Sequence, residues 1–164
     1  MLLSGLHRTN NELMDKKALQ EFIAGATLKV NSKFGKSSIN IVHTAFDHPI
    51  KKREEPYNHF AINGRQWQNA SIDHAVSTRM GFLFGEMAMD KKGNKAVITG
   101  LIKSLGPSLD MVLLYRNMGI QFRSLASNVF SESQESGNEK GFFFNINYTP
   151  SPQPRFEVYA DQYQ

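Results

Sequence analysis

From Gln20 onward, apolar side chains recur at every second position in successive runs of about ten residues, a period that half-buried strands require and helices do not produce. In the first run Phe22, Ala24, Ala26, Leu28 and Val30 fall on one side, with Gly25, Thr27, Lys29 and Asn31 on the other. Lys33 to Lys36 form a tight turn, and Ile39, Ile41 and Ala45 begin the return. The stretch from Asp47 to Gln66 carries Pro49, Pro56, Gly64 and a charge cluster, so it reads as a long loop with a minor strand near Phe60. Ala70, Ile72 and Val76 alternate with Asn69, Ser71, Asp73 and Ser77, and the chain reverses near Arg79. Gly81 to Met89 is ambiguous in its facing, and Ala96 to Lys103 is apolar on both sides. Leu109, Met111, Leu113 and Tyr115 are set against Asp110 and Arg116; Phe142, Phe144, Ile146 and Tyr148 against Asn145 and Asn147; Phe156, Val158 and Ala160 against Arg155, Glu157 and Asp161.

The expected fold is all-β, an antiparallel up-and-down meander of about eight strands over residues 19–164. Residues 1–18 read as a loop with a short helix, because Thr9 with Glu12 fits a capping box and Leu13, Met14 and Leu19 share a face. Connections alternate in length: short at Lys33, Arg79, Gly106 and Ser151, long at Asp47 and Gly119, intermediate at Lys91. Outer-membrane barrels have this asymmetry, with short periplasmic turns and longer extracellular loops.

A mean hydropathy of -0.41 does not oppose such a reading. A spanning strand needs only about 10 residues with alternate ones apolar, whereas no stretch approaches the roughly 20 apolar residues of a spanning helix. The absence of cysteine removes disulfides, cysteine-zinc sites and thiol nucleophiles together. The formal charge of +4 is modest, and the basic residues form only one short cluster, Lys51, Lys52 and Arg53, beside Glu54 and Glu55, which is too little for a nucleic-acid surface. After Met1, Leu2 and Leu3 come Ser4, Gly5, His7 and Arg8, not the apolar core of an export signal. The expectation is a piece of a longer barrel, with its natural start upstream.

Nothing in the sequence points to catalysis. The histidines at 7, 43, 48, 59 and 74 have no metal-ligand spacing, no serine sits in a nucleophile elbow, and no glycine-rich phosphate loop opens a helix. No catalytic, cofactor-binding or metal-binding residues are assigned, and no enzyme activity or cofactor is expected. The residues of interest are the strand charges Lys29, Asp73, Glu86, Lys103, Asp110, Arg116, Glu157 and Asp161, read as lumen-facing. If the apolar face meets lipid, these charges line a wet interior and pair across strands. If it faces inward, they are solvated side chains of a soluble barrel. Trp67, Tyr115, Tyr148, Phe156 and Tyr163 lie near strand ends, as interfacial girdles do, and lean toward lipid. In the long loop 117–140, Phe122, Leu125, Val129 and Phe130 are too apolar for a solvated coil, each being worth about 1.5–3 kcal/mol on burial. That loop is expected to fold back on the mouth and present Ser131 to Glu135 to a protein partner. Arg116 and Glu139 are expected to pair near the rim for about 0–1 kcal/mol.

His7-Arg8-Thr9, Asp15-Lys16-Lys17-Ala18, Leu114-Tyr115-Arg116-Asn117, Asn128-Val129-Phe130-Ser131-Glu132-Ser133 and Asn138-Glu139-Lys140-Gly141 carry a resemblance. In that order and spacing they resemble the carboxy-terminal β-rich region of competence-type helix-hairpin-helix proteins of Gram-negative bacteria. The resemblance implies a barrel-like region without assigned activity, preceded by an export signal and a helix-hairpin-helix element that this chain lacks, so no DNA contact is carried over. The expected role is an outer-membrane segment, a pore, anchor or scaffold with the lipid bilayer as its partner. The other reading is a soluble all-β binding module with an apolar inner cavity.

Overall fold

The computed structural model describes residues 19–52, 55, 59–125, 137–151 and 154–164. The expected helix at residues 10–19 lies almost wholly outside them. Eight strands form one antiparallel sheet in sequence order: β1 (Glu21–Ser32), β2 (Gly35–Ile50), β3 (Gly64–Thr78), β4 (Gly81–Asp90), β5 (Lys95–Gly106), β6 (Leu109–Met118), β7 (Glu139–Tyr148) and β8 (Phe156–Tyr163). Every neighbouring pair is antiparallel and there is no crossover among the described residues, which form an all-β meander. β1 and β8 are the two edges.

The strands run further than the period of two suggests. β2 continues to Ile50 and β3 begins at Gly64, where a long loop is expected from Asp47. Past Ala45 the register shifts, because Pro49 cannot donate to the ladder. No strand forms near Phe60 among the described residues of that loop; His59 and Phe60 form a turn instead. The two-residue reversals at Lys33–Phe34 and Arg79–Met80 and the tight turn at Pro107–Ser108 lie on one rim. The long connections after β2 and β6 lie on the other.

Directly opposite residues share a face, so the register assigns every strand side chain. One row runs Lys29, Ser38, Asp73, Glu86, Ile98, Arg116, Gly141 and Tyr163 across all eight strands. The opposite face carries Phe22, Leu28, Ile39, Ile72, Met111, Leu113, Phe142, Phe144, Ile146 and Val158. Away from the edge strands β1 and β8, which are exposed on both sides, burial favours the first face, although Phe82 and Ile102 on it stay exposed. Ser38, Thr44, Trp67, Leu114, Arg116, Glu139 and Asn145 are buried, all on the first face, while Phe22, Leu28, Ile39, Ile72, Phe142 and Val158 on the second are exposed. A single sheet without a second layer can bury one face only by curling around it, so the polar face is concave and the apolar face convex.

The apolar band crosses the rows diagonally. Its midpoint in β1, Ala26, lies three residues on the long-loop side of Lys29, and its midpoint in β8, Val158, lies five on the short-turn side of Tyr163. A drop of about eight residues over seven strand spacings, at about 3.3 Å per residue and about 4.8 Å per strand, tilts the strands about 38° from the normal of the band. Closed β-barrels require a tilt of about 35–45°.

Candidate functional site

The most buried side chain of the sheet is a charged one. Arg116, 1% exposed, stands on the concave face of β6. Its Nε donates to Glu139 Oε1 at the start of β7 (2.5 Å) and its Nη2 to Asp161 Oδ2 on β8 (3.0 Å). The guanidinium also lies 5.9 Å from the centre of the Tyr163 ring. A glycine makes the arrangement possible: Gly141 is directly opposite Arg116, and a Cβ there would come within 2.9 Å of the guanidinium carbon. The expectation of an exposed rim pair is thereby corrected. With Glu139 6% exposed and Asp161 18%, the pair is desolvated, and removing one partner strands charge away from water.

Above this cluster, the start of the loop after β6 crosses the long-loop mouth of the concave face. Asp90, at the end of β4, holds it. Its Oδ1 accepts from the N–H groups of Lys92 and Asn94 (2.9 and 3.0 Å), which closes the turn to β5. Its Oδ2 accepts from Asn94 Nδ2 (3.0 Å) and from the Arg123 N–H (3.3 Å). On the other side, the Arg123 carbonyl accepts from Trp67 Nε1 (3.1 Å) and Asn69 Nδ2 (2.9 Å) on β3. Phe122 is buried beneath, so residues 119–125 span from β6 to β3 over the mouth. The expected folding back holds for Phe122, but Leu125, expected to bury with it, is 45% exposed; Val129, Phe130 and Ser131 to Glu135 lie outside the described residues.

The charges read as lumen-facing separate by register. Lys29, Asp73, Glu86, Asp110, Arg116, Glu157 and Asp161 share the concave face. Lys103 does not: it is opposite Met111 on the convex face. β5 is apolar on both sides, so alternation could not assign it, and only pairing with β6 does. The concave carboxylates are bridged locally: Asp73 by Asn40 Nδ2 (2.7 Å), Asp110 by Ser104 Oγ (2.6 Å) and Glu157 by Asn145 Nδ2 (2.7 Å). The side chains of Lys29 and Glu86 have no hydrogen-bond partner among the described residues. Trp67 and Tyr163 also depart from expectation, pointing to the concave face rather than an outer girdle. Tyr115 remains on the convex face, and so do Tyr148 and Phe156, whose rings stack at 6.3 Å.

The comparisons with known proteins add nothing. No protein-family model, curated protein or solved structure matches the chain. The described residues contain no group of three or more histidine and acidic side chains placed to hold a metal, and no helix long and apolar enough to cross a membrane. The histidines are dispersed: His43 bonds Gln68 (3.0 Å), His74 is on the convex face, and His48 lies 3.0 Å from Asp47 at the long-loop rim. There the Gln20 N–H bond, with help from His48, holds the Asp47 carboxyl below its ordinary pKa. What the geometry offers is a concave polar surface with a buried ionic core, an anchored cap over one mouth, and an apolar outer surface.

Proposed function

We propose that this chain is a segment of an outer-membrane β-barrel, acting as a pore, anchor or scaffold without catalytic activity. The observation that carries the reading is an apolar band on the convex side, exposed on β1–β4, at Phe142 and on β8 and half-buried on β5 and β6, while the ion pairs are buried on the concave side. A soluble module puts its apolar face inside, because each large side chain left in water forgoes about 1.5–3 kcal/mol. Acyl chains remove that cost.

The outward side of β5 supports the same reading. Lys95 and Lys103 bracket Val97, Thr99 and Leu101 on that side. Eight residues span about 26 Å along the strand and, at the tilt above, about 21 Å of height. That is slightly under the roughly 25 Å of an outer-membrane apolar band, a gap that snorkelling lysines close. Tyr148 and Phe156 at the short-turn end supply an aromatic girdle. The competence-type resemblance, with its barrel-like region of no assigned activity, belongs to this proposal. The cap of residues 119–125 then narrows the passage at the long-loop side.

The test is refolding from urea into phosphatidylcholine vesicles, followed by carbonate washing and flotation. The proposal expects the chain to float with the vesicles after washing. A chain that folds without vesicles and stays at the bottom of the gradient overturns it in favour of a soluble module.

A further inference from the structure

β1 has no neighbour on its outer edge, and all twelve of its residues are exposed. β8 is the other free edge, and seven of its eight residues are exposed. In an eight-strand meander these two strands run antiparallel, so they can join as a ladder. One feature chooses the register in which they would do so, and a second is compatible with it.

The first is glycine placement. Three glycines sit within strands directly opposite a large side chain, which occupies the space a Cβ would need. A Cβ at Gly100 would be 2.4 Å from Phe84 Cζ, at Gly141 2.9 Å from Arg116 Cζ, and at Gly85 3.0 Å from His74 Cε1. Gly25, in the middle of β1, has no such cover. A Cβ there would meet nothing closer than Ile41 O at 3.4 Å, yet glycine inside a strand costs about 0.5–1 kcal/mol relative to alanine. Its inward space opens toward the free edge. On the other free edge, Tyr159 is the large concave-face side chain left 69% exposed. An aromatic ring laid over a strand glycine is a recurrent cross-strand device.

The second feature is the apolar band. Its drop of about 1.1 residues per strand spacing, continued across the seam with the facing kept, leaves Val158 opposite Ala26 or Ala24, and the glycine–tyrosine pair takes the first. That register also sets Tyr159 opposite Gly25, Ala160 opposite Ala24 and Phe156 opposite Leu28. Passing once around the sheet along the row of Lys29 then returns to Glu21, a shear of about eight. An eight-stranded barrel closes at that shear, with a tilt of about 36°.

We infer that β1 and β8 of one chain pair antiparallel, Gly25 opposite Tyr159, to close an eight-stranded barrel, so that these strands form a barrel by themselves rather than part of a wider one. The inference rests on the proposed barrel reading for its use of the apolar band. Closure removes the exposed backbone edges, which would otherwise recruit foreign strands. It covers Ile23 and Tyr159 on the concave side and leaves an interior filled by side chains and the cap, the habit of eight-stranded barrels, which favours the anchor or scaffold role over the pore.

The absence of native cysteine allows a direct test in the full chain. The seam pair is Ala24→Cys with Ala160→Cys, two small outward positions, because directly opposite Cα atoms stand about 4.5–5.5 Å apart, within disulfide range. Ala24→Cys with His43→Cys, opposite each other in the β1–β2 ladder, reports that the sheet has folded. Ala24→Cys with Phe156→Cys, four residues out of register, reports specificity. Each is oxidised in the vesicle-bound and unbound fractions of the flotation gradient, then run on non-reducing gels. The seam pair should form an intrachain disulfide as completely as the ladder pair, and at least tenfold more than the out-of-register pair. Three outcomes overturn closure: the ladder pair alone oxidising, the out-of-register pair matching the seam pair, or the seam pair giving disulfide-linked dimers, which would assign the edges to a second copy. Failure of the membrane reading is separate, since it appears as seam disulfide in chains that do not float.

Discussion

Replacing Arg116 with methionine keeps much of the side-chain volume and removes the charge between Glu139 and Asp161. Both carboxylates then face a site where the guanidinium was 1% exposed and Glu139 is 6% exposed. Breaking a buried pair in this way costs about 3–5 kcal/mol, against about 0–1 kcal/mol for a solvated pair. The buried value applies here, and a loss of about 3 kcal/mol is expected because Asp161, 18% exposed, can recover some water. Neutralising the stranded carboxylates should restore at least half of the loss, so the triple variant R116M, E139Q, D161N should be more stable than R116M alone. Trp67 is the one tryptophan of the chain and is buried by the cap, so its emission reports unfolding in urea without a label. The free energies follow from linear extrapolation in micelles and in vesicles. A loss of under about 1 kcal/mol in R116M, or a triple variant no better than the single one, would refute the claim that this pair is desolvated.

Other outcomes follow from the same contacts. Asp90→Ala removes the acceptor for the N–H groups of Lys92, Asn94 and Arg123, and should release the cap; trypsin should cut after Arg123 at least tenfold faster, with Trp67 emission shifted to the red. Gly100→Ala forces a Cβ to 2.4 Å from the Phe84 ring and should cost about 1–3 kcal/mol in the urea assay, whereas Gly141→Ala should cost as much by displacing the Arg116 guanidinium. At the rim, the Asp47 carboxyl has a folded pKa below the ordinary 3.8, so its bond to the Gln20 N–H is present at neutral pH and lost as pH falls through that lowered value. The Gln20 amide resonance should therefore titrate with a midpoint under 3.8, and a midpoint above it would contradict the assignment. Limited proteolysis in detergent should spare residues 119–125; rapid cutting there with intact strands would make that segment a tether and not a cap.

Most of the sheet was legible because β1, β6, β7 and β8 separate their faces cleanly. Five of the eight charges, on β1, β6 and β8, share one face for that reason; Asp73 on β3 and Glu86 on the ambiguous β4 join them through the ladder, and Lys103 sits on β5, where both sides are apolar. Alternation fixes faces within a strand; the phase between strands comes from the ladder. Trp67 and Tyr163 were misplaced for a related reason, since nearness to a strand end says nothing about facing. The continuation of β2 past Ala45 and the early start of β3 at Gly64 are not legible because Pro49 and Gly64 read as strand breakers and Asp47, Gln66 and Gln68 interrupt the apolar alternation. The Asp90 hub was invisible for a different reason. Its turn bonds to residues 92 and 94 are local and readable from Asp-x-x-Gly-Asn, but the bond to Arg123 joins residues 33 apart.

The central claim is that the convex face meets acyl chains and the concave face does not. The most direct measurement is a spin-label scan of β6, one cysteine at a time from Leu109 to Met118, in vesicles carrying either oxygen or a water-soluble nickel chelate. Collisions with oxygen should peak at 109, 111, 113 and 115 and fall at 110, 112, 114 and 116, while the nickel chelate stays low along the odd positions. Oxygen peaks at the even positions, or nickel access along the odd ones, would contradict the account.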